Sequence, residues 1–125
     1  MNLLLVEDDA DIRLVARMTL KRAGFTVTTV DNGLAALEAV RTNPPDVILL
    51  DWMLPEMDGP EVCRRLKADP ALRDVPVIFL TARSQSAEIG RGLALGAAGY
   101  IVKPFDALTL GDEVRKLLGT GPPPG

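Results

Sequence analysis

Short apolar runs alternate along the chain with longer segments of helical period. Four of these runs lie at 3–6, 47–50, 77–80 and 100–102. They are too short for surface helices, and unbroken apolar residues are typical of parallel strands that are buried on both faces. A further strand is predicted at 26–30.

The segments between these strands predict five helices. Apolar residues recur three or four positions apart in four of them, at Ile12, Val15, Ala16, Leu20 and Ala23, at Leu34, Leu37 and Val40, at Ile89 and Leu93, and at Leu110, Val114, Leu117 and Leu118. Each set is predicted to be the inward face of a helix. Gly24 should end the first helix, and Asp58 and Asp106 should begin the third and fifth.

Five β-α units of this length predict an α/β fold, a doubly wound parallel sheet with helices on both faces. The length of 125 residues and mass of 13.4 kDa fit one domain, because single cores typically occupy ~100 to 200 residues. We assign residues 1–118 to that domain and residues 119–125 to a flexible tail rich in glycine and proline.

Composition narrows the classes of function. The net charge of -3 gives no general basic field, so we expect no direct binding to nucleic acid. No apolar segment reaches the ~20 residues of a membrane span, and the first strand begins too early for a signal peptide. We therefore expect a cytoplasmic protein with no membrane partner.

Two residue counts restrict the chemistry further. Cys63 is the single cysteine, so no disulfide can form within the chain. There is no histidine, which excludes imidazole metal ligands and any Ser-His or Cys-His catalytic pair. The remaining candidates are carboxylates, threonine, lysine or a cofactor.

Polar residues follow four of the predicted strands. Glu7 and Asp8 follow the first, Asp51 the third, Thr81 the fourth and Lys103 the fifth. Ligands of open parallel sheets bind at the carboxyl ends of the strands, so these residues should share one pocket. Taken singly, the acidic pair could cap the first helix, Thr81 could cap the fourth, and Lys103 could be a salt-bridge partner.

Taken together, the same residues predict a metal-assisted phosphoryl site. Neighbouring carboxylates repel, and the pKa of one would rise unless a cation neutralises them. A hard divalent cation with oxygen ligands, Mg²⁺ above all, meets that need. Metal and amine would then flank the phosphate oxygens, a hydroxyl would donate to a third, and a carboxylate would be the acceptor.

The motifs around these residues are similar, in order and in spacing, to those of the response-regulator receiver domain, including the chemotaxis regulators. They are Leu5-Val6-Glu7-Asp8-Asp9, the segment from Ile48 to Gly59, Phe79-Leu80-Thr81-Ala82 and the segment from Tyr100 to Phe105. The resemblance spans Asn2 to about Leu118. It implies a flavodoxin-like sheet of five parallel strands in the order 2-1-3-4-5 with five helices.

The resemblance also implies a role for each site residue. Asp51 would accept a phosphoryl group from a histidine kinase or a histidine phosphotransfer protein. Asp8 and Asp51 would bind Mg²⁺ directly, or Mn²⁺ in its place, with Glu7 acting through water and the Met53 carbonyl as a further ligand. Contacts to the phosphoryl oxygens would come from Lys103, the Thr81 hydroxyl and the Ala82 amide.

The implied function is a signalling switch, not a turnover enzyme. Thr81 would move toward the phosphate and Tyr100 would fill the vacated space, changing the face formed by the fourth helix, the fifth strand and the fifth helix. That face would control a downstream effector protein or domain, in a monomer or a phosphorylation-linked dimer. Gly90 and Gly92 lower the helical propensity of the fourth helix by ~1 kcal/mol each.

Two departures from the family pattern qualify these expectations. Ala97-Ala98-Gly99 stands where many receivers with winged-helix DNA-binding domains carry acidic residues, which puts their charged dimer mode in doubt. Met53 and Arg83 occupy positions that tune access of water to the acyl phosphate, and an apolar Met53 predicts slow self-dephosphorylation. Kinase docking is predicted at the pocket mouth.

The docking residues would be Ile12, Pro104 and Phe105.

Two other functions share part of this pattern of residues. A phosphatase of the haloacid-dehalogenase type also uses a strand-end aspartate, but it wants a second aspartate where Met53 stands. A flavin-binding module would need a phosphate loop after the first strand, where Glu7, Asp8 and Asp9 repel an anion. The sequence names neither the kinase, the stimulus nor the output.

Overall fold

The computed structural model describes residues 1–82 and 86–119, and of residues 86–89 the helical backbone only. Its ten elements alternate strictly between strand and helix. They are β1 (Asn2–Val6), α1 (Ala10–Arg22), β2 (Thr26–Val30), α2 (Gly33–Thr42), β3 (Val47–Asp51), α3 (Gly59–Ala68), β4 (Val77–Thr81), α4 (Ser86–Ala94), β5 (Gly99–Val102) and α5 (Leu110–Leu117).

The five strands form one parallel sheet in the order β2-β1-β3-β4-β5. Every residue of β3 and β4 is buried, whereas β2 is only partly covered because it lies at an edge. This is the predicted flavodoxin-like α/β fold, with the predicted strand order. The domain boundary at 118 stays a prediction, since residues 120–125 of the tail lie outside the described residues.

Two separate cores flank the sheet. On one side, α1 and α5 pack through residues such as Leu20 and Val114 against Leu5 and Leu49. On the other side, α2 and α3 pack on the opposite side chains of the same strands, and Leu95 at the end of α4 joins that core. Helices therefore cover both faces, and the polar residues that end the strands are left at one edge.

Several predicted inward residues are exposed instead. Val15 is 48% exposed, Leu34 58% and Leu93 48%, while Ala16, Leu20 and Leu37 are buried as predicted. Helical spacing defines a stripe but not its width, and a small domain leaves apolar side chains at the stripe's border in contact with water. Ile89 lies among the side chains that the structure does not describe.

The predicted cap of the last helix is wrong. The Asp106 carboxylate accepts a hydrogen bond from the Leu108 amide at 2.8 Å and forms a turn. Only after that turn does α5 begin, with Thr109 at its N-cap position and no side-chain cap bond. Asp58 does cap α3, by accepting from the Glu61 amide at 3.0 Å, and Gly24 follows α1 with φ of 100°.

Candidate functional site

The carboxyl ends of three strands bring four predicted site residues into contact. One carboxylate oxygen each from Glu7, Asp8 and Asp51 lie within 4.8 Å of one another. The Lys103 ammonium Nζ is 2.5 Å from Glu7 Oε1 and 3.3 Å from Asp51 Oδ2. Three acidic groups and one amine therefore share a pocket, as the strand ends predicted.

Helix capping does not account for Glu7 and Asp8. The cap of α1 is Asp9, whose Oδ1 accepts from the Asp11 amide at 2.9 Å and the Ile12 amide at 3.1 Å. One side chain thus satisfies two of the free amides at the helix start. The two preceding acidic residues are turned to the pocket.

Glu7 occupies a position that disfavours the charged form of its side chain. Its side chain is fully buried, and burial, reinforced by the neighbouring Asp51 carboxylate, raises its pKa to about 8 despite the nearby Lys103. Among the described residues, Glu7 Oε2 has no hydrogen-bond partner. A buried acceptor left unpaired typically costs ~1 to 3 kcal/mol. Three carboxylates, one with an orphaned oxygen, are the hard donor set that a divalent cation prefers, so the residues fit such an ion.

Lys103 is the pocket's counter-charge. Burial lowers its pKa, but the hydrogen bond to Glu7 and the charge of Asp51 outweigh burial, so the pKa of Lys103 is raised. Its amide donates to the Thr81 carbonyl at 2.7 Å, which joins the ends of β4 and β5. The Lys103–Pro104 peptide bond is cis.

A tight loop after β3 presents Asp51. The Gly59 amide donates to the Trp52 carbonyl at 2.9 Å, and a Cβ at position 59 would collide with the Asp51 carbonyl. Only glycine therefore allows the start of α3 to approach the strand end so closely. The Met53 amide lies 3.4 Å from Asp51 Oδ1. The side chain of Met53 is 63% exposed.

Thr81 and Tyr100 both line a small cavity under α4. The cavity measures about 10 Å³, and its other lining residues include Trp52, Phe79 and Gly92. Thr81 is buried and Tyr100 is 39% exposed on β5. A Cβ at Gly92 would meet the Trp52 ring at 3.1 Å. Close packing against Trp52 therefore explains why glycine stands at position 92, which helical propensity alone did not explain.

The remaining predicted residues differ in how far they are exposed. Ala82 and Pro104 are exposed, whereas Ile12 and Phe105 are half-buried. Phe105 packs against the core beneath α1 and α5. Arg83, predicted to affect access of water, lies outside the described residues.

One residue near the pocket was missed by the sequence reasoning. Arg13, in α1, donates from Nη1 to the Glu7 carbonyl at 2.9 Å. An available signal was its basic side chain close to the start of a helix, where cations are disfavoured. No helix in the described ranges has the length and hydropathy that crossing a membrane requires.

Comparison with known sequences gives consistent matches. The family model of the response regulator receiver domain matches residues 3–115. The transcriptional regulatory protein CseB of Streptomyces avermitilis is 44% identical over 117 residues, 94% of this chain and 48% of that protein. The phosphate regulon transcriptional regulatory protein PhoB of Rhizobium meliloti is 41% identical over 118 residues, 94% and 52% of the two chains. This chain spans about half the length of these relatives.

Solved structures agree with the sequence matches. The chemotaxis response regulator CheY4 of Vibrio cholerae superposes with a TM-score of 0.88 at 31% identity, covering 93% of this chain and 97% of that one. The receiver domain of the Francisella response regulator 1452 gives a TM-score of 0.86 at 30% identity, covering 94% and 96%.

Proposed function

We propose that this chain, which belongs to the response regulator receiver domain family, is a phosphoacceptor switch of a two-component phosphorelay with Asp51 as the acceptor. The observation that carries the proposal is the pocket itself. Three carboxylate oxygens lie within 4.8 Å of one another, and the Lys103 ammonium lies 3.3 Å from Asp51. A carboxylate beside a cation and further metal-binding oxygens is the equipment that phosphoryl transfer needs.

The transfer forms one bond and breaks one. A carboxylate oxygen of Asp51 attacks the phosphorus of a phosphohistidine on a histidine kinase or phosphotransfer protein. The phosphorus–nitrogen bond breaks, its electron pair returns to the imidazole, and Asp51 becomes an acyl phosphate. Lys103 pairs with one phosphoryl oxygen, while the Thr81 hydroxyl and the Ala82 amide contact the others.

In this proposal Asp8 and Asp51 hold Mg²⁺ directly, Glu7 holds it through water, and the Met53 carbonyl is a further ligand. Mn²⁺ substitutes for it. A bound Mg²⁺ supplies positive charge that offsets the negative charge on the phosphoryl oxygens. The orphaned oxygen of buried Glu7 supports this assignment, because a hydrated cation gives that oxygen a partner.

The output follows from the new charge. Phosphorylation replaces the single negative charge of the Asp51 carboxylate with a phosphoryl group that carries ~1.5 to 2 negative charges, and its oxygens draw the Thr81 hydroxyl inward. Tyr100 then turns into the cavity under α4, and the surface of α4, β5 and α5 changes shape. This surface acts on a downstream effector protein or domain, in a monomer or a phosphorylation-linked dimer. The names of the longer relatives favour transcriptional control as the output.

Docking and lifetime complete the proposal. The kinase or phosphotransfer protein contacts Ile12, Pro104 and Phe105. Phe105→Ala should lose phosphotransfer from that partner yet still accept phosphate from a small donor; unchanged transfer removes Phe105 from the docking surface. The exposed Met53 side chain cannot orient a water, so the acyl phosphate should be long-lived, not lost within seconds.

Intact mass tests the assignment of Asp51. Wild type and Asp51→Asn are treated with acetyl phosphate or phosphoramidate and Mg²⁺, and the mass is followed over time. One phosphoryl group adds ~80 Da, which should appear in the wild type alone and only with the metal. Equal additions in both proteins would exclude Asp51 as the acceptor.

A further inference from the structure

We infer that Arg13 is a positioning residue for the metal-binding loop between β1 and α1. The inference rests on the proposed function, because it concerns the cation that Glu7, Asp8 and Asp51 would hold. Arg13 lies in α1, four residues beyond the cap Asp9. Its side chain does not extend into solvent but turns back toward the end of β1.

The contacts of Arg13 fall on the backbone of two proposed ligands. Its Nη1 donates to the Glu7 carbonyl at 2.9 Å and, more weakly, to the Asp8 carbonyl at 3.4 Å. No ion pair joins Arg13 to another of the described residues, although Asp9 and Asp11 are close along the chain. The guanidinium is therefore committed to the two carbonyls.

This placement is locally unfavourable. A cation near the N-terminus of a helix is disfavoured by the helix dipole, by ~0.3 to 1 kcal/mol. Residues that break a local rule are most often found where function requires them. The bonds to the loop give that compensating role.

The geometry of the loop shows what the bonds accomplish. In a continuing strand, the side chains of Glu7 and Asp8 would point to opposite faces. Both instead contribute an oxygen to one cluster with Asp51, so the chain must turn between them. The Glu7 amide is held by the Val30 carbonyl at 3.1 Å, and Arg13 holds the carbonyls on the other side of that turn.

The charge of Arg13 and its positioning of the loop would have opposite effects on cation binding, so an experiment can distinguish the two roles. A guanidinium near the pocket repels a divalent cation, so a mere bystander charge would weaken binding and its removal would strengthen it. A positioning residue does the reverse. Removing groups that orient metal ligands from outside typically costs ~10 to 100-fold in affinity.

The test is a Mg²⁺ titration of the metal-free protein, followed by the fluorescence of Trp52, which adjoins Asp51, and repeated by calorimetry. The variants are Arg13→Gln and Arg17→Gln. Arg17 is exposed on α1 one turn further, so its loss removes the same charge without touching the loop. Asp8→Asn marks the loss of the site. Thermal unfolding without metal shows that each variant is folded at the titration temperature.

We expect Arg13→Gln to bind Mg²⁺ about tenfold more weakly than the wild type, with Arg17→Gln unchanged or slightly tighter. Equal or tighter binding by Arg13→Gln overturns the inference, as does equal weakening in both variants. If Arg13→Gln does not fold, Arg13→Lys replaces it with the same expected direction, since lysine lacks the planar fork. A wild type without any Mg²⁺ response would instead overturn the proposed metal site.

Discussion

Two ion pairs in this molecule have the same closest distance between their charged groups, yet the pKa values of their glutamates shift in opposite directions. Glu7 and Lys103 approach to 2.5 Å at the end of the sheet, and Glu61 and Arg64 approach to 2.5 Å on the surface of α3. The pKa of Glu7 is raised to about 8, chiefly by burial, whereas that of Glu61 is lowered to about 2, chiefly by its hydrogen bond to Arg64. The distance between the two charged groups therefore does not by itself determine the direction in which the pKa of the carboxyl shifts.

The difference lies in what surrounds each carboxylate. Glu61 is partly exposed and receives hydrogen bonds from both Arg64 and Arg65. Glu7 is sealed from water and shares one ammonium with a second carboxylate, Asp51. The surface pair is complete, whereas ionised Glu7 and Asp51 share one ammonium, which leaves an excess of negative charge. That excess is what a divalent cation would neutralise.

The largest effect should come from removing the buried counter-charge. Lys103→Met leaves Glu7 and Asp51 without a cation, and breaking a buried pair typically costs ~3 to 5 kcal/mol. We expect Lys103→Met to lower the free energy of unfolding by about 3 kcal/mol at pH 9, the lower end of that range, because Lys103 is partly exposed. The loss should be smaller at pH 5, where Glu7 is protonated. Urea unfolding at both pH values without divalent cations measures it. The same loss at both would show that Lys103 does not compensate Glu7.

The next effect is the pH dependence of the metal-free protein. The folded-state pKa of Glu7, about 8, exceeds its ordinary value of 4.5, so the folded state binds the proton more tightly than the unfolded state does. The stability that the folded state gains from this tighter proton binding is fully present below about pH 4.5 and is lost as pH rises through 8. At ~1.36 kcal/mol per pKa unit, stability should fall by about 2 to 3 kcal/mol between pH 6 and 9.

That window is favourable because the chain has no histidine to titrate within it. Denaturant unfolding at pH 6, 7, 8 and 9 in the presence of a chelator follows the change, and Glu7→Gln is the matched control. The control should give a much flatter profile, because glutamine has no proton to lose. An equally steep profile in Glu7→Gln would assign the pH dependence to another group.

The smallest effect should come from the surface pair. Exposed ion pairs contribute little to stability, so Glu61→Gln should change the free energy of unfolding far less than Lys103→Met does. Added salt should reduce even that difference, because screening is effective at the surface. Thermal unfolding at low and high salt measures both. A loss as large as that of Lys103→Met would erase the contrast between the two pairs.

The sequence predicted the order of the elements because buried parallel strands are unbroken apolar runs. It predicted that polar residues at the ends of those runs would meet, and three of the strand ends supply the acidic cluster and its lysine. It did not predict how far each helix turns its stripe toward solvent, as Val15 and Leu34 demonstrate. Nor did it predict Arg13, whose contacts depend on where a long side chain folds back along a helix. Such contacts follow from three-dimensional packing, which spacing along the chain does not encode.

All the proposed acidic ligands, the acceptor and the lysine lie at the carboxyl edge of the sheet. The connections from helix to strand, such as residues 43–46 and 69–76, lie at the other edge and include none of them. Lengthening the largely exposed connection at 43–46 should therefore leave the site intact and suits the grafting of reporter peptides, whereas residues 69–76 include the core residue Leu72. The architecture separates the part of the chain that holds the site from the connections at the opposite ends of the strands.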